Sequence, residues 1–272
     1  MTALPEPTDQ RWRITSPERG VCVVEYHHPP VNALDANSHA ELRQLLRALE
    51  GDDETRVVLF ASAHPTIFIA GSDIETMKPL PQTKAAVAER IDNAVGTFAR
   101  LQHLSKPTIG VIEGHALGGG CELALALDFR FMKRGRARIG LPEAALGLIP
   151  AAGGTQRLAR LVGRARAADL LMLGRRIDAD EAATIGLVRA ADDARSGALA
   201  YAKRLASMPS SSLRAIKTCL NDGYDGDLPR GLQVERYAAL DAFTSDEATE
   251  GLTAFLEKRP PRFHAAPTGA DT

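Results

Sequence analysis

Leu117-Gly118-Gly119-Gly120-Cys121-Glu122-Leu123 is the stretch on which the reading of this chain turns. It joins two different patterns. Upstream, Lys106-Pro107 restarts the chain into Thr108 to Ile112, a short apolar run of the kind found in strands buried on both faces. Downstream, Cys121 to Leu127 is apolar except at Glu122 and reads as a helix. The three glycines between them permit a tight turn and a close approach by another molecule. The free N–H groups of a helix start, with the helix dipole, favour negative charge at that point. A nucleotide phosphate, a carbonyl oxygen becoming an enolate, or a purely structural turn all fit. The order is not G-x-G-x-x-G, and no G-x-x-x-x-G-K-[ST] occurs, so the carbonyl is the sharper ligand reading. The bare turn remains open beside it.

Working outward, the same alternation recurs. Residues 1–11 read as a loose tail, and Arg13 to Ser16 with Val21 to Tyr26 form a hairpin around Pro17-Glu18-Arg19-Gly20. Asp35 or Asn37 caps a helix to about Glu50, with Leu42, Leu45, Leu46 and Leu49 on one face. Arg56 to Ala61 and Thr66 to Ile69 are strands, Ala70-Gly71-Ser72-Asp73 turns out of them, and 77–83 is a proline-bearing loop. A helix follows from about Ala85 to Leu104. Phe129 to Met132 and Ala137 to Gly140 are further strand-like pieces, after which the chain turns mainly helical. Thr155 is the expected cap of a helix ending near Gly163. Further helices are expected over 165–173, 179–185, 193–207, 210–220, 230–243 and 246–258, with 261–272 as a tail. Repeated strand–helix–strand crossovers give an α/β fold whose parallel sheet is covered by helices. Late in the chain, Leu252, Phe255 and Leu256 make an apolar stripe that packs either on the chain's own core or on another subunit.

Composition narrows the function. A chain of 272 residues with 44% hydrophobic content can bury a full core. A formal net charge of -1 supplies no field to attract nucleic acid or an anionic membrane. The three cysteines have neither metal-ligand nor disulfide-framework spacing, which suits a reducing compartment. No secretory h-region and no apolar run of ~18 residues is present, so the expectation is a soluble, cytoplasmic protein.

Two carboxylates stand out. Glu122 lies in the first turn of an otherwise apolar helix, as either a capping group or an acid or base. Burial there would raise its pKa, and the dipole and N–H donors would lower it. Glu143, in Pro142-Glu143-Ala144-Ala145-Leu146-Gly147, sits where a strand-like piece passes into loop or helix. No spacing rule brings two carboxylates 21 positions apart into one cavity. Ala70-Gly71-Ser72-Asp73 could present a second N–H toward an oxyanion, Ser72 lacks the G-x-S-x-G surroundings of a nucleophile, and Asp73 reads as a cap. None of the histidines has metal-ligand spacing, and His115 reads as structural.

Together these residues resemble the crotonase superfamily, and within it the enoyl-CoA hydratases. Ile69-Ala70-Gly71-Ser72-Asp73-Ile74 is similar to its first signature, and Gly114 to Leu123 to its second. Leu141-Pro142-Glu143, Gly147-Leu148-Ile149-Pro150 and Gly153-Gly154-Thr155-Gln156-Arg157-Leu158 resemble the third, and Gly251 to Arg259 the end of a trimerisation region. The likeness extends from about residue 12 to 263. It implies a spiral of ββα repeats, with a crotonase core over 12–200 carrying the CoA-thioester site and a mainly helical trimerisation region over 201–260. It implies that the N–H groups of Ser72 and Gly119 hold the thioester oxygen. Glu122 is then the base toward water and Glu143 the proton donor to C2. Ala70 corresponds to a backbone contact with the CoA adenine, and Lys258 to a lysine reaching CoA from a neighbouring subunit. The implied partners are an acyl-CoA thioester substrate and further copies of the chain, as a homotrimer or a homohexamer built as a dimer of trimers. Coenzyme A enters as part of the substrate, and no other cofactor and no metal is expected.

Departures are few. Ser72 replaces the usual alanine, Glu75 stands where many relatives have a lysine near CoA phosphate, and Glu113 replaces a frequent asparagine. Residues 77–86 correspond to a variable loop near the acyl chain. The expected activity is reversible hydration of a trans-2-enoyl-CoA, a lyase reaction of fatty acid metabolism. Double-bond isomerisation is the alternative, and a non-catalytic acyl-CoA binding protein is disfavoured by the presence of both glutamates.

Overall fold

Residues 10–78, 83–224 and 226–263 are described by the structure, a computed structural model. The expected tail over 1–11 therefore lies mostly outside the described residues. So do the proline-bearing centre of the 77–83 loop and residues 264–272 of the expected 261–272 tail.

The chain opens with a hairpin, β1 (Trp12–Glu18) and β2 (Val21–Tyr26), paired antiparallel across Arg19-Gly20. From β2 onward it winds in a repeating unit: a strand for a large sheet, a short strand for a smaller one, then a helix. The first unit continues through β3 (Ala33–Leu34) into α1 (Ala36–Glu50). The second is β4 (Val57–Ser62), β5 (Ile67–Ile69), β6 (Gly71–Ser72) and α2 (Lys84–Gln102). The third is β7 (Thr108–Ile112), β8 (His115–Leu117) and α3 (Gly119–Leu125). The fourth is β9 (Phe129–Lys133), β10 (Ile139–Gly140) and the pair α4 (Gly154–Val162) and α5 (Arg164–Met172). Then come β11 (Arg176–Ile177), α6 (Ala179–Thr184), β12 (Arg189–Ala191) and α7 (Ala194–Ala206). Helices α8 (Ser210–Thr218), α9 (Leu228–Phe243) and α10 (Asp246–Leu256) complete the molecule.

The large sheet runs β1-β2-β4-β7-β9-β12, parallel from β2 to β12. The smaller sheet runs β11-β10-β8-β5, and β3 pairs with β6. This is the expected spiral of ββα units with a helical end. Alternation along β4 divides the core. Val58 and Phe60 face the cluster under α1 and α2, while Val57, Leu59 and Ala61 face α7. Helix α7 answers with Ala194, Ala198, Ala202 and Ala206, one small residue per turn, which lets its backbone lie close to the sheet. Asp35 caps α1 as expected, its carboxylate accepting from the Ser38 N–H at 2.7 Å.

One expectation needs correction. Thr155 does not cap α4. That helix starts at Gly154, after Gly153 at φ 103°, with no side-chain cap. Its first N–H, from Gly154, is met by the Glu122 carboxylate of α3, and this replaces the cap. Of the two readings left open for the stripe of Leu252, Phe255 and Leu256, packing on the chain's own core is excluded, since these side chains are 63%, 81% and 78% exposed. Ala254 is the residue α10 buries. No helix among the described residues is long and apolar enough to cross a membrane.

Candidate active site

The site is built where the smaller sheet meets the start of α3. Gly118, at φ 50° and ψ -124°, adopts a backbone that a side chain rarely tolerates. It swings the chain from β8 into α3 beside the β6 turn. A Cβ on Gly119 would lie 3.4 Å from both the N and Oγ of Ser72. A Cβ on Gly71 would lie 3.7 Å from the N of Gly119. The Ser72 and Gly119 amides are therefore neighbours, though 47 positions separate them in sequence. As the first residue of α3, Gly119 has an N–H with no partner inside its helix.

Glu122 faces inward from the first turn of α3 and is 4% exposed. Its Oε1 accepts two backbone N–H bonds, from Ala152 at 2.7 Å and Gly154 at 2.9 Å. Burial pushes its pKa up, and these two donors and the Arg157 charge pull against that rise. Glu143 stands on a 3-10 turn, Pro142–Leu146, that Gly147 ends in the left-handed region. A Cβ on Gly118 would come within 3.0 Å of Glu143 Oε1, so this carboxyl overhangs the glycine turn. Its other oxygen, Oε2, is buried and takes no hydrogen bond among the described residues. Burial, partly offset by its own backbone N–H and reinforced by the charge of Glu122, pushes Glu143 up to about 7.

The fold thus gathers Ser72, Gly119, Glu122 and Glu143. It does not gather Lys258, which sits exposed past the end of α10 with φ 54°. Ala70 flanks the site and donates its N–H to the Asn32 carbonyl at 3.3 Å. Asp73 caps the 3-10 turn Ile74–Met77 through the Glu75 N–H, as expected. Glu75 pairs with Lys78 at 2.7 Å, and Glu113 pairs with Arg195 at 3.0 Å, which also holds Glu25. Of the three departures from the hydratase pattern, the two glutamates are therefore engaged in ion pairs. His115 is half-buried, and its Nδ1 lacks a partner among the described residues.

Three contributors were not singled out from sequence: the N–H groups of Ala152 and Gly154, and Arg157. The one available signal was Gly153-Gly154, which directly precedes the expected cap Thr155. A Cβ on Gly154 would sit 2.9 Å from Glu122 Oε1, so the absence of a side chain there is what lets the carboxylate reach the backbone.

The enoyl-CoA hydratase/isomerase family model matches residues 16–266 of the chain. The chain belongs to that family. Curated relatives within it include the short-chain-enoyl-CoA hydratase of Clostridium acetobutylicum, 35% identical over 90% of this chain and 95% of its own. The crotonyl-CoA hydratase of Syntrophomonas wolfei is 35% identical over 92% of this chain and 96% of its own. Among solved structures, the enoyl-CoA hydratase of Bacillus anthracis superposes with a TM-score of 0.87 at 34% identity, covering 93% of this chain and 99% of that one.

Proposed function

We propose that this family member is an enoyl-CoA hydratase, adding water reversibly and syn across the double bond of a trans-2-enoyl-CoA to give a 3-hydroxyacyl-CoA. The observation that carries the reading is the pairing of unlike carboxyls at one glycine turn: Glu122 held by two N–H donors, Glu143 pushed up to about 7 with an unpartnered oxygen. The first group is set up to accept a proton and the second to give one.

In the reaction, the thioester oxygen lies between the Ser72 and Gly119 N–H groups. Glu122 removes a proton from water as its oxygen bonds to C3. The displaced π electrons move through C2 to the thioester oxygen, where two fixed donors stabilise the enolate without reorganising. Glu143 then delivers its proton to C2, and the double bond to oxygen re-forms. One donor of this type is worth ~3–4 kcal/mol in other enzymes. Ala70 offers its backbone to the adenine, and coenzyme A is needed only as part of the substrate.

Assembly belongs to the same reading. Leu240, Phe243, Phe255 and Leu256 are exposed on the single chain, and a homotrimer, or a hexamer made of two, would cover them. Residues 201–260 are then the assembly region, and Lys258 the arm that reaches a neighbour's CoA.

The test is turnover of a short trans-2-enoyl-CoA, followed by loss of the conjugated thioester absorbance. Glu122→Gln and Glu143→Gln are each expected to lose ~100-fold or more in kcat. Unchanged turnover in either removes that residue from the mechanism. Conjugation of a β,γ-enoyl-CoA with no hydration would make the protein an isomerase instead.

A further inference from the structure

Arg157 is on α4, away from the glycine turn, yet it touches the loop that holds Glu122. Its Nη1 donates to the Ala152 carbonyl at 2.8 Å, and its Nε donates to Gln102 Oε1 at 2.8 Å. Gln102 ends α2 and is fastened in turn to Asn221. Asn221 Nδ2 donates to the Gln102 carbonyl at 2.9 Å, and Gln102 Nε2 donates to Asn221 Oδ1 at 3.3 Å. Asn221 lies in a π-helical turn, Cys219–Gly223, between α8 and α9. Such turns are rare and occur often at functional sites.

The peptide geometry explains what Arg157 controls. The Ala152 carbonyl belongs to the peptide between residues 152 and 153. The two N–H groups that hold Glu122 Oε1 belong to the peptides on either side of it. Fixing the middle peptide restrains both neighbours, which join it at Ala152 and Gly153. Gly153, at φ 103°, leaves no side chain in the way, and a Cβ there would meet Arg157 Nη1 at 2.1 Å. We propose that Arg157 is a positioning residue for the Glu122 carboxylate, and that Gln102 and Asn221 hold it in place. The inference rests on the reading of Glu122 as the base.

Two effects follow, one geometric and one electrostatic. The planar guanidinium spans two acceptors at fixed angles, which a lysine cannot do. Its charge also favours the ionised form of Glu122. The other titratable groups facing Glu122 are Glu143 from the 3-10 turn and the Cys121 thiol of its own helix. Burial pushes the Cys121 thiol well above its ordinary range, so it stays neutral, and Glu143 is the competing anion.

The test is the pH profile of kcat/KM for crotonyl-CoA hydration in wild type, Arg157→Gln, Arg157→Lys, Gln102→Leu and Glu122→Gln. Base catalysis needs ionised Glu122, so its titration sets the acidic limb. Arg157→Gln is expected to move that limb to higher pH, because the charge that favours ionised Glu122 is gone. It should also cut kcat at neutral pH by ~10-fold, with KM within about twofold. Arg157→Lys should keep the limb in place while kcat falls, because charge survives and the fork does not. Gln102→Leu should lower kcat several-fold, again without moving the limb. An acidic limb unmoved in Arg157→Gln would make the arginine merely structural and overturn the inference. Should that variant fail to fold, wild-type kcat in both Arg157→Lys and Gln102→Leu would overturn it. The underlying reading fails separately: Glu122→Gln would then retain turnover, whatever Arg157 does.

Discussion

Gly154→Ala isolates the contact between α4 and Glu122 without removing any hydrogen-bonding group. The new Cβ would lie 2.9 Å from Glu122 Oε1, 2.9 Å from Pro150 Cβ and 3.0 Å from Glu122 Cγ. Comfortable contact is ~3.5–4.0 Å, so the carboxylate or the loop must yield by about 0.5–1 Å. Two effects on stability oppose each other. Alanine gains up to ~1 kcal/mol over glycine in a helix, and crowding a packed site costs ~1–3 kcal/mol. The net change in stability therefore lies between about zero and a loss of about 3 kcal/mol. Catalysis has no such compensation. A displacement near 1 Å costs ~100-fold where a reacting group must be aligned, so kcat is expected to fall 10- to 100-fold. Enoyl-thioester absorbance gives kcat, and a thermal melt gives stability. Gly96→Ala is the control: Gly96 is exposed on α2, and a Cβ there meets nothing within 4 Å. That control should gain ~0.5–1 kcal/mol and keep wild-type turnover. If Gly154→Ala hydrates crotonyl-CoA at the wild-type rate, the fixed position of the Glu122 carboxylate is irrelevant to the chemistry.

Hydration should decline on the alkaline side through the titration of Glu143. With its carboxyl pushed up to about 7, roughly one molecule in ten carries the proton at pH 8, so a flat profile from pH 6 to 9 would remove Glu143 as the acid. Lys217 is 7% exposed, and its Nζ pairs with Asp128 at 2.8 Å and donates to the Lys106 carbonyl at 2.9 Å; Asp128→Ala leaves that buried charge without its carboxylate and should cost ~3–5 kcal/mol in a denaturant titration. A cost under about 1 kcal/mol would mean that water reaches the lysine. Phe255→Glu places a charge on an 81% exposed apolar side chain and should yield monomers in sedimentation with unchanged helix content. An intact trimer would move the interface off α10.

The spiral was legible because each strand and helix carries its own signal. Leu42, Leu45, Leu46 and Leu49 mark the buried face of α1, and Asp35 marks its start. The site was legible only in parts. Glycines 118–120 announce a close approach, but nothing local says that the neighbour across from Gly119 is Ser72. Glu122 and Glu143 share a site because β8 and β10 pair in parallel, a relation that the intervening 21 positions do not encode. Only likeness to a family could suggest it. The misread Thr155 has the same cause. Sequence reasoning seeks a cap close to the helix it caps, whereas the oxygen meeting Ala152 and Gly154 comes from residue 122. Arg157, Gln102 and Asn221 were beyond reach for that reason too, since each belongs to a different helical element.

Burial alone would assign the two carboxyls the wrong way round. Glu122 is nearly inaccessible and Glu143 only half-buried, so desolvation by itself makes Glu122 the weaker acid. Yet Glu143 is the group pushed up to about 7. The inversion comes from hydrogen bonds. Two backbone donors converge on Glu122 Oε1, and Glu143 Oε2 has none among the described residues. Depth therefore sets the size of the upward push, and the donors decide how much of it survives. In the proposed reaction this asymmetry also resets the enzyme. One hydration leaves Glu122 protonated and Glu143 ionised, so the carboxyl pushed up to about 7 is the one that has lost its proton. Return of the proton from Glu122 to Glu143, carried by the next water, restores the starting pair. The burial that readies Glu143 to give a proton thus also favours its taking one back.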